Sequence, residues 1–136
     1  MQVLLLQESH ALAAVEETLR GHYDFVCVHS AREAFEALEH NRFELIVAQV
    51  YFEHGDVFEI LKEIRSTGDT QYIPFVCFAA RQTPAARHFN SIIRAAAFTF
   101  GATDFLCIDD FYENGKYDST AILKALEKAM GHGTAV

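Results

Sequence analysis

No run of apolar residues in this chain approaches the roughly 18–20 that a membrane-crossing helix needs. The opening MQVLLLQESH has no basic segment and turns polar after six residues, so no signal peptide is expected. Basic residues are few: Lys+Arg 11 stand against Asp+Glu 19, for a net charge of −8. Without a Lys/Arg cluster the domain is a poor nucleic-acid binder, because phosphate neutralisation supplies most of that affinity. The same balance argues against a membrane-surface role. Cysteine is scarce. Cys27, Cys77 and Cys107 each sit inside an apolar run, their number is odd, and no CxxC occurs. Buried, reduced thiols in a reducing cytoplasm fit that usage better than disulfide, metal or redox chemistry. GxGxxG, P-loop and GxSxG patterns are missing, which weakens the case for an enzyme of the nucleotide-binding or hydrolase kind. No internal repeat, low-complexity tract or linker interrupts the chain.

What is present suffices for one core: 136 residues, 51% hydrophobic and 22% charged, which excludes wholesale disorder. One domain over residues 1–130 is expected, with 131–136 as a frayed tail.

Two kinds of segment alternate. Short apolar runs at Val3–Leu6, Phe25–Val28, Phe43–Val50, Ile73–Phe78 and Phe105–Ile108 read as strands. Phe43–Val50 is broken only by Glu44 and Gln49, the pattern of a strand buried on both sheet faces. Helices fill the intervals. Leu12, Val15 and Leu19 follow Ser9, a candidate N-cap, and Gly21 ends that turn. Ser30-Ala-Arg-Glu33 forms a capping box ahead of Ala34, Phe35 and Leu38. Val57, Phe58, Ile60, Leu61 and Ile64 make a third helix ending near Gly68. Thr83-Pro84 opens a fourth helix of about five turns, carrying Phe89, Ile92, Ile93 and Ala97 to Gly101. Ser119 caps a last helix with Ile122, Leu126 and Met130 inward. The order βαβαβαβαβα predicts an α/β fold, a five-stranded parallel sheet with helices on both faces.

In such a sheet the chemistry belongs at the carboxyl ends of the strands. FELIVAQVYFEHGDVFEILKEIR, GATDFL, IPFVCFAA and VLLLQES together resemble the receiver domain of two-component response regulators over about residues 2–130, which implies a flavodoxin-like, three-layer αβα sandwich with strand order 2-1-3-4-5. The resemblance implies a fold carrying a phosphoacceptor aspartate, two metal-binding acids, a reporting Thr/Ser and a lysine followed by proline. On those positions this chain has Gln49, then Gln7 and Glu8, then Ala79, then Ile108 followed by Asp109. Phe105 falls where receivers carry a switch aromatic. An amide is no carboxylate nucleophile, and Glu8 alone offers little to Mg²⁺. The expectation is a pseudo-receiver, with no catalysis, no metal and no cofactor.

Glu8, His10, Glu53, His54 and Asp56 gather near one sheet end but match no ligand spacing, so solvated loop residues are the favoured reading over a metal site. Asp109 and Asp110 read as loop acids rather than a paired-carboxylate site, and Ser9 lacks a His–Asp partner at definable spacing. The segment RQTPAARHFNSIIRAAAFTF carries Arg81, Arg87 and Arg94 with no acid, and more apolar residues than one face needs: Phe89, Ile92, Ile93, Phe98 and Phe100. The expected function is phosphorylation-independent signalling by contact with a protein partner. Arg87, Phe89, Ile93, Arg94 and Phe98 are the candidate docking surface, and a homodimer through helix four, strand five and helix five is the simplest assembly. The alternative is a small-molecule sensor using the neutralised pocket.

Overall fold

The computed structural model describes residues 2–50, 57–80 and 88–131. Its elements run β1 (Gln2–Leu6), α1 (Ala13–Arg20), β2 (Asp24–Val28), α2 (Ala31–His40), β3 (Leu45–Gln49), α3 (Val57–Ser66) and β4 (Phe75–Ala79). Then follow α4 (Asn90–Thr99), β5 (Asp104–Cys107), a 3₁₀ turn (Ile108–Phe111), β6 (Tyr112–Glu113), β7 (Lys116–Tyr117) and α5 (Ser119–Ala129). The five long strands pair in parallel in the order β2-β1-β3-β4-β5, giving a flavodoxin-like α/β fold. The register sets Leu4 beside Val26 and Ile46, and Gln49 beside Phe78.

Alternation along the strands divides the core in two. Val3, Leu5, Val47, Val76 and Phe78 face α1 and α5, meeting Leu12, Val15, Ile122 and Leu126. Leu4, Ile46, Phe75, Cys77 and Ala79 face α2, α3 and α4, meeting Ala34, Ile60, Leu61, Ile64 and Ala97. β3 and β4 are buried from end to end, which is why both read as unbroken apolar runs. Burying each such Leu, Ile, Val or Phe side chain contributes about 1.5–3 kcal/mol.

Several helix ends differ from the sequence expectation. Ser9 caps nothing: it adopts φ 47°, and α1 begins at Ala13 after Leu12. The capping job is done from a distance by Gln7, whose Oε1 accepts the Leu12 N–H at 2.7 Å. Ser30 does cap α2, accepting the Glu33 N–H at 3.2 Å, and its hydroxyl donates to the Glu33 carboxylate at 3.1 Å. α5 is capped by Asp118, one residue before Ser119, through the Ala121 N–H at 3.0 Å. The fourth helix is shorter than expected. His88 and Phe89 form a turn and α4 has 10 residues; Thr83 and Pro84 lie outside the described residues. Of the three cysteines only Cys77 is fully buried, while Cys27 and Cys107 are half-buried.

One element went unforeseen. Between β5 and α5 the chain makes a β6–β7 hairpin whose turn is Asn114-Gly115, with φ 54° and 83°. Positive φ at both central residues is what a two-residue hairpin with native twist requires, and Asn-Gly is the pair that reaches it with least strain. Tyr112 and Tyr117 meet edge to face across it at 4.9 Å.

Candidate functional site

Strand order reverses between β1 and β3, so their carboxyl ends form the crevice in which this architecture binds ligands. Two amides occupy it. Gln7 immediately follows β1 and is 1% exposed; Gln49 ends β3 and is 7% exposed. A polar side chain buried this deeply has to find partners, or folding bears the cost of its desolvation. Gln49 Oε1 accepts the Glu8 main-chain N–H at 2.7 Å, tying β3 to the loop after β1. Gln7 faces the other way along the crevice. Besides accepting from Leu12, its Nε2 donates to Glu16 Oε1 at 3.2 Å and lies 3.4 Å from Cys27 Sγ. Its own carbonyl oxygen is 2.7 Å from His29 Nδ1. The pair of amides therefore joins β1, β2, β3 and α1 through hydrogen bonds, one of them to the Glu16 carboxylate.

The other expected pocket positions lie at the ends of the neighbouring strands β4 and β5. Ile108 opens the 3₁₀ turn, and its buried side chain packs in the α1–α5 layer with Phe78. Ala79 lies in the opposite layer, with Ala97 and Phe105. Phe105, at the switch-aromatic position, is 2% exposed. Phe111 was missed in the sequence. It leaves the 3₁₀ turn to lie 6.1 Å from the Phe78 ring, and its carbonyl accepts the Asp118 N–H at 2.7 Å. The signal that would have found this segment is the Asn114-Gly115 pair between two tyrosines.

A hard divalent cation favours carboxylate and other oxygen ligands with lone pairs to give. Here the Oε1 atoms of Gln7 and Gln49 already accept main-chain N–H groups, and neither carries charge. The donor set does not suit Mg²⁺. Among the described residues no three His, Cys, Asp or Glu side chains come together as a metal site. Glu53, His54 and Asp56 lie outside the described residues.

The second candidate region is α4. Phe89 is 59% exposed, Ile92 65% and Phe98 41%. Ile93 points inward and packs against the core. Arg94 is not a free surface charge: its Nη1 donates to the Phe105 carbonyl at 2.8 Å, and its guanidinium lies 5.1 Å from the Phe98 ring centre. α4 is thus pinned to β5 by the same arginine expected to meet a partner. Arg87 lies outside the described residues. At the far end of α4, Arg65 donates to the Gly101 carbonyl at 2.9 Å and to the Gln71 carbonyl at 3.1 Å. Gly101 has φ 105°, and a Cβ there would meet the Arg65 side chain at 3.0 Å.

This arrangement has clear structural relatives. A putative response regulator from Chloroflexus aurantiacus matches with TM-score 0.76 at 18% identity, covering 96% of this chain and 97% of that one. A chemotaxis response regulator of Vibrio cholerae gives 0.69 at 20% identity, over 94% and 97%. The receiver domain of a sensor histidine kinase from Pseudomonas aeruginosa, solved with a magnesium ion in its active-site cleft, gives 0.71 at 17% identity, over 96% and 97%. No protein-family model matches the chain, and no curated protein does. The fold is that of receiver domains. Among the described residues no helix is long and apolar enough to cross a membrane.

Proposed function

We propose that this chain is a receiver-type signalling module that works through contact with a protein partner and does not take up phosphate. One observation carries the reading. Where a receiver's acceptor carboxylate stands, Gln49 uses its amide oxygen to hold the Glu8 main chain at 2.7 Å. An amide cannot form an acyl phosphate by attack through a carboxylate oxygen. With Gln7 beside it and Ile108 in place of the lysine, Glu8 is the one charge left of those that would assist phosphoryl transfer. The module is accordingly no enzyme, binds no resident metal and acts as a scaffold.

Partner contact is assigned to the α4 side, where Phe89, Ile92 and Phe98 expose apolar surface beside Arg94. A homodimer through α4, β5 and α5 is the simplest assembly on this face. The sensor alternative places a small ligand near Gln49 instead. A thermal-shift screen separates the two: a specific ligand whose stabilisation disappears in Gln49→Ala favours the sensor.

The direct test is affinity purification of the intact chain against Phe89→Glu and Ile92→Glu, with and without a phosphodonor and Mg²⁺. The same partner, or a second copy, is expected with wild type under both conditions and is lost from both variants. Capture that depends on the phosphodonor overturns the reading.

A further inference from the structure

The amino-terminal end of the sheet, opposite the two amides, carries a groove that the signalling reading does not use. Its volume is about 330 Å³. The starts of β3 and β4 and the end of α5 supply an apolar floor of Phe43, Ile73, Pro74 and Met130. Around it stand Glu44, Asp69 and Tyr72, and among the described residues no Lys, Arg or His lines it. Phe43 is buried, whereas Tyr72 is 86% exposed, the most open large hydrophobic side chain among the described residues. Neither the Glu44 nor the Asp69 carboxylate has an ion pair among the described residues. Past Phe43, Asp69 and Ile73 it meets a second groove of about 510 Å³ lined also by Glu39, His40 and Arg42, so the cation-attracting part is the stretch at Glu44, Asp69 and Tyr72.

Charge complementarity decides the occupant. An electron-rich ring held in water beside two carboxylates attracts a cation twice over, by its quadrupole and by Coulomb attraction. The apolar floor, with the adaptable thioether of Met130, suits an aliphatic neighbour of that cation. The α4 face has the opposite character: from Thr70 to Thr103 the chain has no acid. The two surfaces therefore select different partners.

We propose that this groove is a second docking surface, for a protein segment presenting a lysine or arginine next to an aliphatic side chain. The cation lies over Tyr72 between Glu44 and Asp69, and the aliphatic group lies on Phe43 and Ile73. This stands whether or not the chain takes up phosphate.

The test is amide chemical-shift mapping of the full chain titrated with the peptide acetyl-Leu-Arg-Leu-Arg-amide. Its Leu-Gln-Leu-Gln counterpart serves as the neutral control. Saturable shifts are expected at Phe43, Glu44 and Asp69–Ile73, weakened at least about 10-fold with the glutamine peptide and in the Glu44→Lys/Asp69→Lys double variant. Tyr72→Ala weakens binding about 3-fold, and Tyr72→Phe, which keeps the ring, does not. Glu36→Lys, on exposed α2 surface, leaves it unchanged. Equal binding of both peptides, or shifts spread over the acidic surface and indifferent to the double variant, overturns the proposal. Concentration-dependent shifts at the same residues without peptide also overturn it, in favour of a second copy of the chain as the occupant.

Discussion

In the crevice at the carboxyl end of the sheet, two buried amides bind the chain's own main chain; around the groove at the amino end, two carboxylates and a tyrosine face water. Gln7 and Gln49 are buried and hold Leu12 and Glu8. Glu44, Asp69 and Tyr72 stand exposed around a groove. The contrast separates two uses of polarity. A buried amide with its hydrogen bonds made is an internal strut, so its removal is felt as lost stability. An exposed carboxylate contributes little to folding, so its removal is felt only by whatever binds there. The two amides act inside the fold, whereas the groove residues are open to whatever binds there.

Substitutions at the two ends test that contrast. Gln7→Ala has the largest expected effect, a loss of about 2–3 kcal/mol in urea unfolding, because it strands the buried Leu12 N–H and removes the links to Glu16 and Cys27 together. Gln49→Ala, which strands one N–H at Glu8, costs about 1–2 kcal/mol. A negligible loss from either would mean the amides are idle.

Midway between the ends, burial pushes the Cys77 thiol up to about 12 from its ordinary 9.0. A folded value above the unfolded one means that its contribution is complete below pH 9 and declines as pH rises toward 12. By pH 10 the decline is on the order of 1 kcal/mol. Urea unfolding at pH 8 and pH 10 measures it, and Cys77→Ala removes this part of the pH dependence. Burial also raises Cys27 and Tyr23, which act in the same direction. The smallest effect belongs to the amino end. Glu44→Gln and Tyr72→Ser should each change stability by less than about 0.5 kcal/mol; a larger loss would make the groove structural too.

How far the sequence reached follows the range of the forces involved. The five strands and their order were legible because a strand buried on both faces must be apolar along its length, as VLLL, LIVA and FVCFA are. That an amide, Gln49, ends β3 was legible as residue identity. What the amide does there was not, since its partner, the Glu8 N–H, is 41 positions away in the chain. Ser9 looked like a cap by local rules, yet Gln7 supplies the acceptor because the turn after β1 swings Leu12 back over it. Arg94 looked like surface charge, and only the packing of α4 on β5 shows its bond to the Phe105 carbonyl. The hairpin was legible in Asn114-Gly115, and the flanking strands of two residues each were too short to show alternation.

The central claim is that Gln49 has replaced a phosphoryl acceptor with a strut. Its most direct measurement is intact-mass analysis of the chain after incubation with acetyl phosphate and Mg²⁺. The account predicts an unchanged mass. A hydroxylamine-labile phosphoryl adduct, mapped by peptide mass to any aspartate of the chain, would contradict it.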